Sequence, residues 1–153
     1  MFSKAQVVEI NMLSAIEKGS RVNFTMDFSD TSFMGMTEDE YSKQEVDWQK
    51  DKPTVIDYFL KTLNAKLRGN LKFNNNIESD YNFVVRVISI SKSGFMICDA
   101  SLFDKQGSLL FKVKDVTGGK EPPLSAGTVL SRIKIWSSLT GAKLGSIVKK
   151  SKK

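Results

Sequence analysis

The chain has 153 residues and 17.1 kDa, the size of one domain, and its 41% hydrophobic and 26% charged residues are those of a folded globular protein. It carries a formal charge of +6, contains no histidine and has one cysteine, Cys98. Those counts exclude an intrachain disulfide, a Cys/His zinc cluster and any histidine-dependent nucleophile, leaving carboxylates, lysines and hydroxyls as the available chemistry.

Residues 6–13 form a short, partly apolar stretch, and Lys18-Gly19 ends the segment that it opens. From Arg21 to Phe28 the chain alternates with period two, Val22, Phe24, Met26 and Phe28 against Asn23, Thr25 and Asp27, which predicts a half-buried strand. Thr37-Glu38-Asp39-Glu40 fits a capping box, with Thr37 as N-cap and an acidic first turn. Pro53 predicts a kink or break. Beyond it, Val55, Ile56, Phe59, Leu60, Leu63 and Leu67 recur at helical spacing up to the stop at Gly69. Three strands follow, over residues 81–91, 95–103 and 108–116, joined by turns so short that an antiparallel meander is expected. After the breakers of residues 118–123, a last helix is predicted from about Ser125 to Lys149, with Gly141 and Gly145 either weakening it or allowing close packing.

The order strand, helix, three strands, helix predicts a two-layer α+β fold, an antiparallel sheet of about four to five strands with two helices (β-α-β-β-β-α) on one face. The expected organisation is a single α+β domain over residues 1–148 and a basic C-terminal tail over 149–153.

Charge is segregated along the chain. Setting aside Lys143, Lys149, Lys150, Lys152 and Lys153 leaves a net charge of +1, and from Pro122 onward there are seven cations and no acid. The opposite pole is Glu38, Asp39, Glu40, Glu45, Asp47 and Asp51, relieved only by Lys43 and Lys50. A lysine-rich end invites phosphate contacts. Specific nucleic-acid readers add arginines or aromatics, which Lys149–Lys153 lack, so a solvated helix end that complements the helix dipole is the favoured reading. Head-to-tail assembly, basic end on acidic segment, is a third reading.

Catalytic patterns are weak. Ser131-Arg132-Ile133-Lys134 and Ser89-Ile90-Ser91-Lys92 match S-x-x-K, but without the companion motifs such matches arise by chance in a chain rich in serine and lysine. Gly118-Gly119-Lys120 reads as a turn before Pro122-Pro123 rather than an anion cradle. Asp27, Asp30 and Asp115 would have to converge for acid–base work, whereas Asp27 is placed to serve the turn after it. Cys98, among apolar strand neighbours, reads as a buried inert thiol, and the sequon at Asn23 falls inside a strand. No metal site and no cofactor are expected. No apolar run approaches the ~18 residues of a membrane-crossing helix. The first nine residues break their apolar character too early for an export signal, so either a cytoplasmic or virion protein or the mature form of an exported one is expected.

Residues 22–29, Gly35-Met36-Thr37-Glu38, Trp48 before a long helix, Ser79-Asp80-Tyr81, Ser91-Lys92-Ser93-Gly94 and Thr117-Gly118-Gly119 together form a pattern that resembles small uncharacterised domains of Bacteroidetes bacteria, usually carried behind an export signal. The resemblance implies an α+β envelope-type domain with no known catalysis. The expected function is therefore a non-enzymatic binding or assembly module of a bacterial envelope or phage virion, with a nucleic-acid-associated protein as the alternative. Candidate interaction residues are Glu38, Asp39, Glu40, Lys149, Lys150, Lys152 and Lys153, with Trp48 and Trp136 as anchors if exposed, core packing being their default role. The expected partner is a protein, a second copy of the chain included.

Overall fold

The structure is a computed structural model that describes residues 7–124 and 127–152. In chain order the elements are β1 (Val7–Asn11), a 3-10 turn (Leu13–Ala15), β2 (Ser20–Asp27), β3 (Ser32–Phe33), α1 (Glu38–Gln44), α2 (Trp48–Leu67), β4 (Leu71–Asn75), β5 (Asn82–Ile90), β6 (Met96–Phe103), β7 (Leu109–Val116) and α3 (Val129–Ser151). One sheet runs β1-β7-β6-β5-β2-β4, and the short β3 pairs with β5 beyond the end of β2.

This corrects the expected architecture. In place of an antiparallel sheet of four to five strands with two helices, the described residues form a mixed sheet of seven strands and three helices. The β5-β6-β7 meander is antiparallel, as is β1 on β7. But β2 is parallel to both β4 and β5. The cause is the helical crossover. α1 and α2 carry the chain from the end of β2 back to the level where β2 began, so β4 starts beside Ser20 and runs the same way. β4 escapes detection because it begins two residues after Gly69 and offers only Leu71 and Phe73 as inward residues, alternating with Lys72 and Asn74. β1 is a five-residue edge strand that is exposed along most of its length.

The passage from β4 to β5 requires the chain to cross β2, since β4 and β5 pair with opposite edges of β2. Asn23 holds this crossing. Its side-chain oxygen accepts the Ile77 N–H at 3.1 Å, its amide nitrogen donates to Asn82 Oδ1 at 3.0 Å, and its backbone N–H donates to the Tyr81 carbonyl at 2.9 Å. The residue read as a sequon is thus occupied inside the fold.

Helix boundaries also differ from expectation. Pro53 lies within α2, and the break falls instead at 45–47, between the capped α1 and Trp48. The pull of the core on Trp48 and Val55, both fully buried, outweighs the one hydrogen bond that Pro53 cannot donate. The predicted start of the last helix at Ser125 lies outside the described residues. α3 begins at Val129 after the N-cap Thr128, whose side chain accepts the Ser131 N–H, and it continues to Ser151. Lys149 and Lys150 therefore stand on its last turn.

The inward face of the sheet carries Val22, Phe24, Phe83, Val85, Ala100 and Val113, all buried, and Phe24 meets Phe59 of α2 at 6.0 Å between ring centroids. α2 and α3 run in the same direction. Ser137 Oγ donates to the Val55 carbonyl at 2.6 Å and Thr62 Oγ1 to the Ser138 carbonyl at 2.7 Å, and further along Gly145 lies against Leu63. Their separation is set by two glycines. A Cβ on Gly141 would sit 2.3 Å from the Phe59 carbonyl oxygen, and one on Gly145 would sit 2.8 Å from that of Leu63. Gly141→Ala is therefore expected to lower the unfolding free energy by about 1–3 kcal/mol, despite the roughly 1 kcal/mol by which alanine favours a helix. Urea denaturation checks this, and an unchanged midpoint would mean that the helices tolerate a wider spacing.

Candidate functional site

Because α2 and α3 are parallel, their starts gather at one end of the helix layer and their ends at the other. With 20 residues in α2, the two ends lie about 30 Å apart.

The acidic segment occupies the first end, and much of it is engaged within the chain. Thr37 Oγ1 accepts the Glu40 N–H at 3.1 Å while a Glu40 side-chain oxygen accepts the Thr37 N–H at 3.0 Å, which is the capping box read from the sequence. The bond from the Thr37 N–H, and secondarily the Thr37 hydroxyl, hold the Glu40 carboxyl below its ordinary range. Glu38 Oε2 accepts the indole N–H of Trp48 and the Lys52 ammonium, both at 2.8 Å. Asp51 pairs with Lys134 of α3 at 3.2 Å. Facing solvent at this end are Asp39, Glu40, Asp47 and the fully turned-out Val46, with Lys43 and Lys50 among them.

Trp48 is 0% exposed. It sits edge-on to Phe28 at 5.5 Å, Phe33 at 5.2 Å and Tyr41 at 5.7 Å, while Phe33 and Tyr41 stack at 4.9 Å. This box fixes α1 and the start of α2 on the end of the sheet, and Lys52 lies 5.2 Å over the Phe28 ring. Trp136 is half-buried, edge-on to Phe95 at 5.0 Å. Both tryptophans thus pack internally.

At the far end, Lys66 and Arg68 from the end of α2 meet Lys149 and Lys150 from the end of α3 around a depression of about 290 Å³, completed by Ser146, with no carboxylate in its lining. Lys152 donates to the Ile16 carbonyl at 2.7 Å, tying the end of α3 to the turn before β2. Lys153 lies outside the described residues. Lys66 and Arg68 escape a reading of the basic end from the sequence alone because they stand far away along the chain. Only the parallel packing of the two helices brings them to Lys149.

Between the poles, the outer surface of α2 and α3 forms a groove of about 540 Å³. Tyr58, Ala65, Ile135 and Leu139 line it, with Lys61 and Lys134 among the polar residues at its sides. Leu139 of α3 is 43% exposed here.

The other motifs resolve into structural roles. Ser131 Oγ donates to the Thr128 carbonyl at 2.8 Å, and its S-x-x-K partner Lys134 is the one paired with Asp51. In the second match, the Lys92 carbonyl accepts Arg132 Nε and Nη2 at 3.2 and 3.0 Å. Arg132 also donates to the Gly127 carbonyl at 2.5 Å, so it clamps the β5–β6 turn and the approach to α3 together. Gly118 is a close-packing position, where a Cβ would lie 2.8 Å from Leu139 Cβ. Asp27 accepts the Ser29 N–H at 2.9 Å, and that hydrogen bond is the main cause of its lowered carboxyl pKa. Asp27 and Asp115 end strands three lanes apart, about 14 Å, beyond the separation of a paired acid and base. Cys98 is fully buried, and burial pushes its thiol pKa far up. Among the described residues no three metal-ligating side chains cluster, and no helix is long and apolar enough to cross a membrane.

No protein-family model matches the chain, and no curated protein matches it. Among solved structures it is similar to a PelC dodecamer from Paraburkholderia phytofirmans, with 13% sequence identity over 93% of this chain and 97% of that one and a TM-score of 0.45.

Among the described residues, one buried side-chain polar atom, the Tyr41 hydroxyl, has no hydrogen-bond partner. Burial, and secondarily the Glu45 charge, push the phenol up to about 12. Folding thus favours the neutral form, so this group's contribution is fully present below about pH 10 and is lost as pH rises towards 12. Tyr41→Phe is expected to raise the unfolding free energy by about 1 kcal/mol at neutral pH and to reduce the loss of stability in alkali. Thermal melts from pH 7 to pH 11 check both, and a destabilised variant would show that the hydroxyl is bonded in solution.

Proposed function

We propose that this chain is a non-enzymatic assembly module, a component of a bacterial envelope or a phage virion, that joins copies of itself head to tail. One observation carries the reading: the uncommitted acids Asp39 and Asp47 and the basic cluster Lys66, Arg68, Lys149 and Lys150 stand at opposite ends of the helix layer, about 30 Å apart. Opposite charges at opposite ends let each copy present one pole to the next, a heterologous contact that generates rings or filaments. Complementary poles also speed encounter and fix orientation. The resemblance to envelope domains agrees with a role in building a surface rather than in turning over a substrate.

A second reading is favoured by the composition of the basic depression. Four cations, one of them an arginine, surround a hydroxyl without an acid between them, which suits the phosphates of a nucleic acid.

Size-exclusion chromatography with light scattering separates the two. Head-to-tail assembly is expected to give a mass well above 17.1 kDa at low salt that falls towards it at high salt, and Lys149→Glu with Lys150→Glu is expected to weaken association at low salt. A mass of 17.1 kDa at both salts overturns self-assembly. A monomer that binds labelled oligonucleotides, and loses them in the same charge-reversed variant, establishes the second reading instead.

A further inference from the structure

The groove between α2 and α3 leaves apolar surface open on the outer side of the helix layer, where Tyr58, Ile135 and Leu139 are 43%, 59% and 43% exposed. Isolated exposed apolar residues are ordinary, but three around one concavity are an interaction surface in need of an occupant. The acidic end offers a matching protrusion. Val46, in the turn between α1 and α2, is 82% exposed and stands between Glu45 and Asp47. Asp47 occupies the N-cap position of α2 yet makes no side-chain capping hydrogen bond, so its carboxylate is not committed to the helix it precedes.

We propose that the groove seats the Glu45-Val46-Asp47 turn of a second copy of this chain. The argument is complementarity of charge and of apolar surface. The groove has an apolar floor with Lys61 beside it and Lys134, paired with Asp51, at its edge, and the turn has an apolar tip flanked by the exposed Asp47 and by Glu45, whose Oε1 accepts the Asp47 N–H. Charge-paired flanks around a desolvated apolar centre are the arrangement that gives an interface both affinity and register. Continuity supports the same occupant. The groove ends at Ala65, one residue before Lys66 and the basic depression, so a copy whose Val46 sits in the groove brings Asp39 and Asp47 towards that cluster. The chain cannot fill its own groove, since Val46 precedes α2 while Tyr58 lies ten residues inside it, about 15 Å along the helix axis. This inference rests on the self-association proposed above and gives it a contact.

Two surface variants test it. In Val46→Cys and Leu139→Cys the new thiols are exposed, whereas Cys98 is fully buried and stays unreactive. Mixing the two variants with a short bis-maleimide is expected to yield a cross-linked pair containing one copy of each, and neither variant alone is expected to yield it. Separately, Val46→Asp keeps the fold, because the side chain lies outside the core, and is expected to weaken association by at least about tenfold. If the chain associates but gives no mixed cross-link and Val46→Asp leaves its mass unchanged, the seat is wrong while self-association stands. If it is a monomer at every concentration and salt, both fall.

Discussion

The contact on which the rest of the molecule depends is the close, same-direction packing of α2 and α3 through Gly141 and Gly145. With no Cβ at those positions, the α3 backbone reaches the carbonyls of Phe59 and Leu63, and Ser137 and Thr62 add hydrogen bonds across the seam. Both hydroxyls donate to main-chain carbonyls of the partner helix, so the seam is held by backbone geometry as much as by apolar filling. A helix pair this tight acts as one slab over the sheet. Its direction decides which charges meet: had α3 run the other way, Lys149 and Lys150 would lie beside Asp47 and not beside Lys66.

The parallel course of the helices follows in turn from the sheet. β2 and β4 are parallel because a helical crossover joins them, and β5 is parallel to β2 because the 76–81 connection passes across it. That crossing would leave polar groups unpaired but for Asn23, whose amide serves both sides of the connection. β7 then runs antiparallel to β6 and delivers the chain to the end of the sheet from which α3 must return alongside α2. Arg132 secures this return by binding the carbonyls of Lys92 and Gly127.

Features legible in the sequence are those written in local periodicity or local side-chain chemistry. The alternation of Val22, Phe24 and Met26, the Thr37–Glu40 box and the short turns of the meander each need only a few neighbouring residues, and the structure reproduces them. Strand direction between distant segments has no such signature, which is why an antiparallel sheet was expected around β2. The short β4 fails for a related reason, since two inward residues are too few to distinguish a strand from a loop. Of the candidate site, the acidic and basic segments were visible as charge runs, but their make-up was not. The roles of Glu38 as the acceptor for Trp48 and of Asp51 as the partner of Lys134 depend on tertiary contacts. Lys66 and Arg68, at the end of α2, become half of the basic cluster only once α3 lies beside α2.

The segregation of charge serves two ends that are physically linked. Two helices lying side by side in the same direction add their dipoles, so the layer carries partial positive charge at its start and partial negative charge at its end. Acids at the first end and cations at the last relieve that field, and Asp51 and Lys66 of α2 stand where this demands. A fold built on parallel helices thus calls for poles of opposite sign on its surface before any partner is considered. Side chains that satisfy both the dipole and an internal partner, as Glu38 and Asp51 do, contribute little outward field. Asp39, Asp47, Lys149 and Lys150 stand at the same ends without such a commitment among the described contacts, and they give the layer an external polarity that a second copy can neutralise. Association then continues the electrostatic arrangement that packing began, and this is why the groove beside Lys61 and the turn at Val46 belong to one account of the molecule.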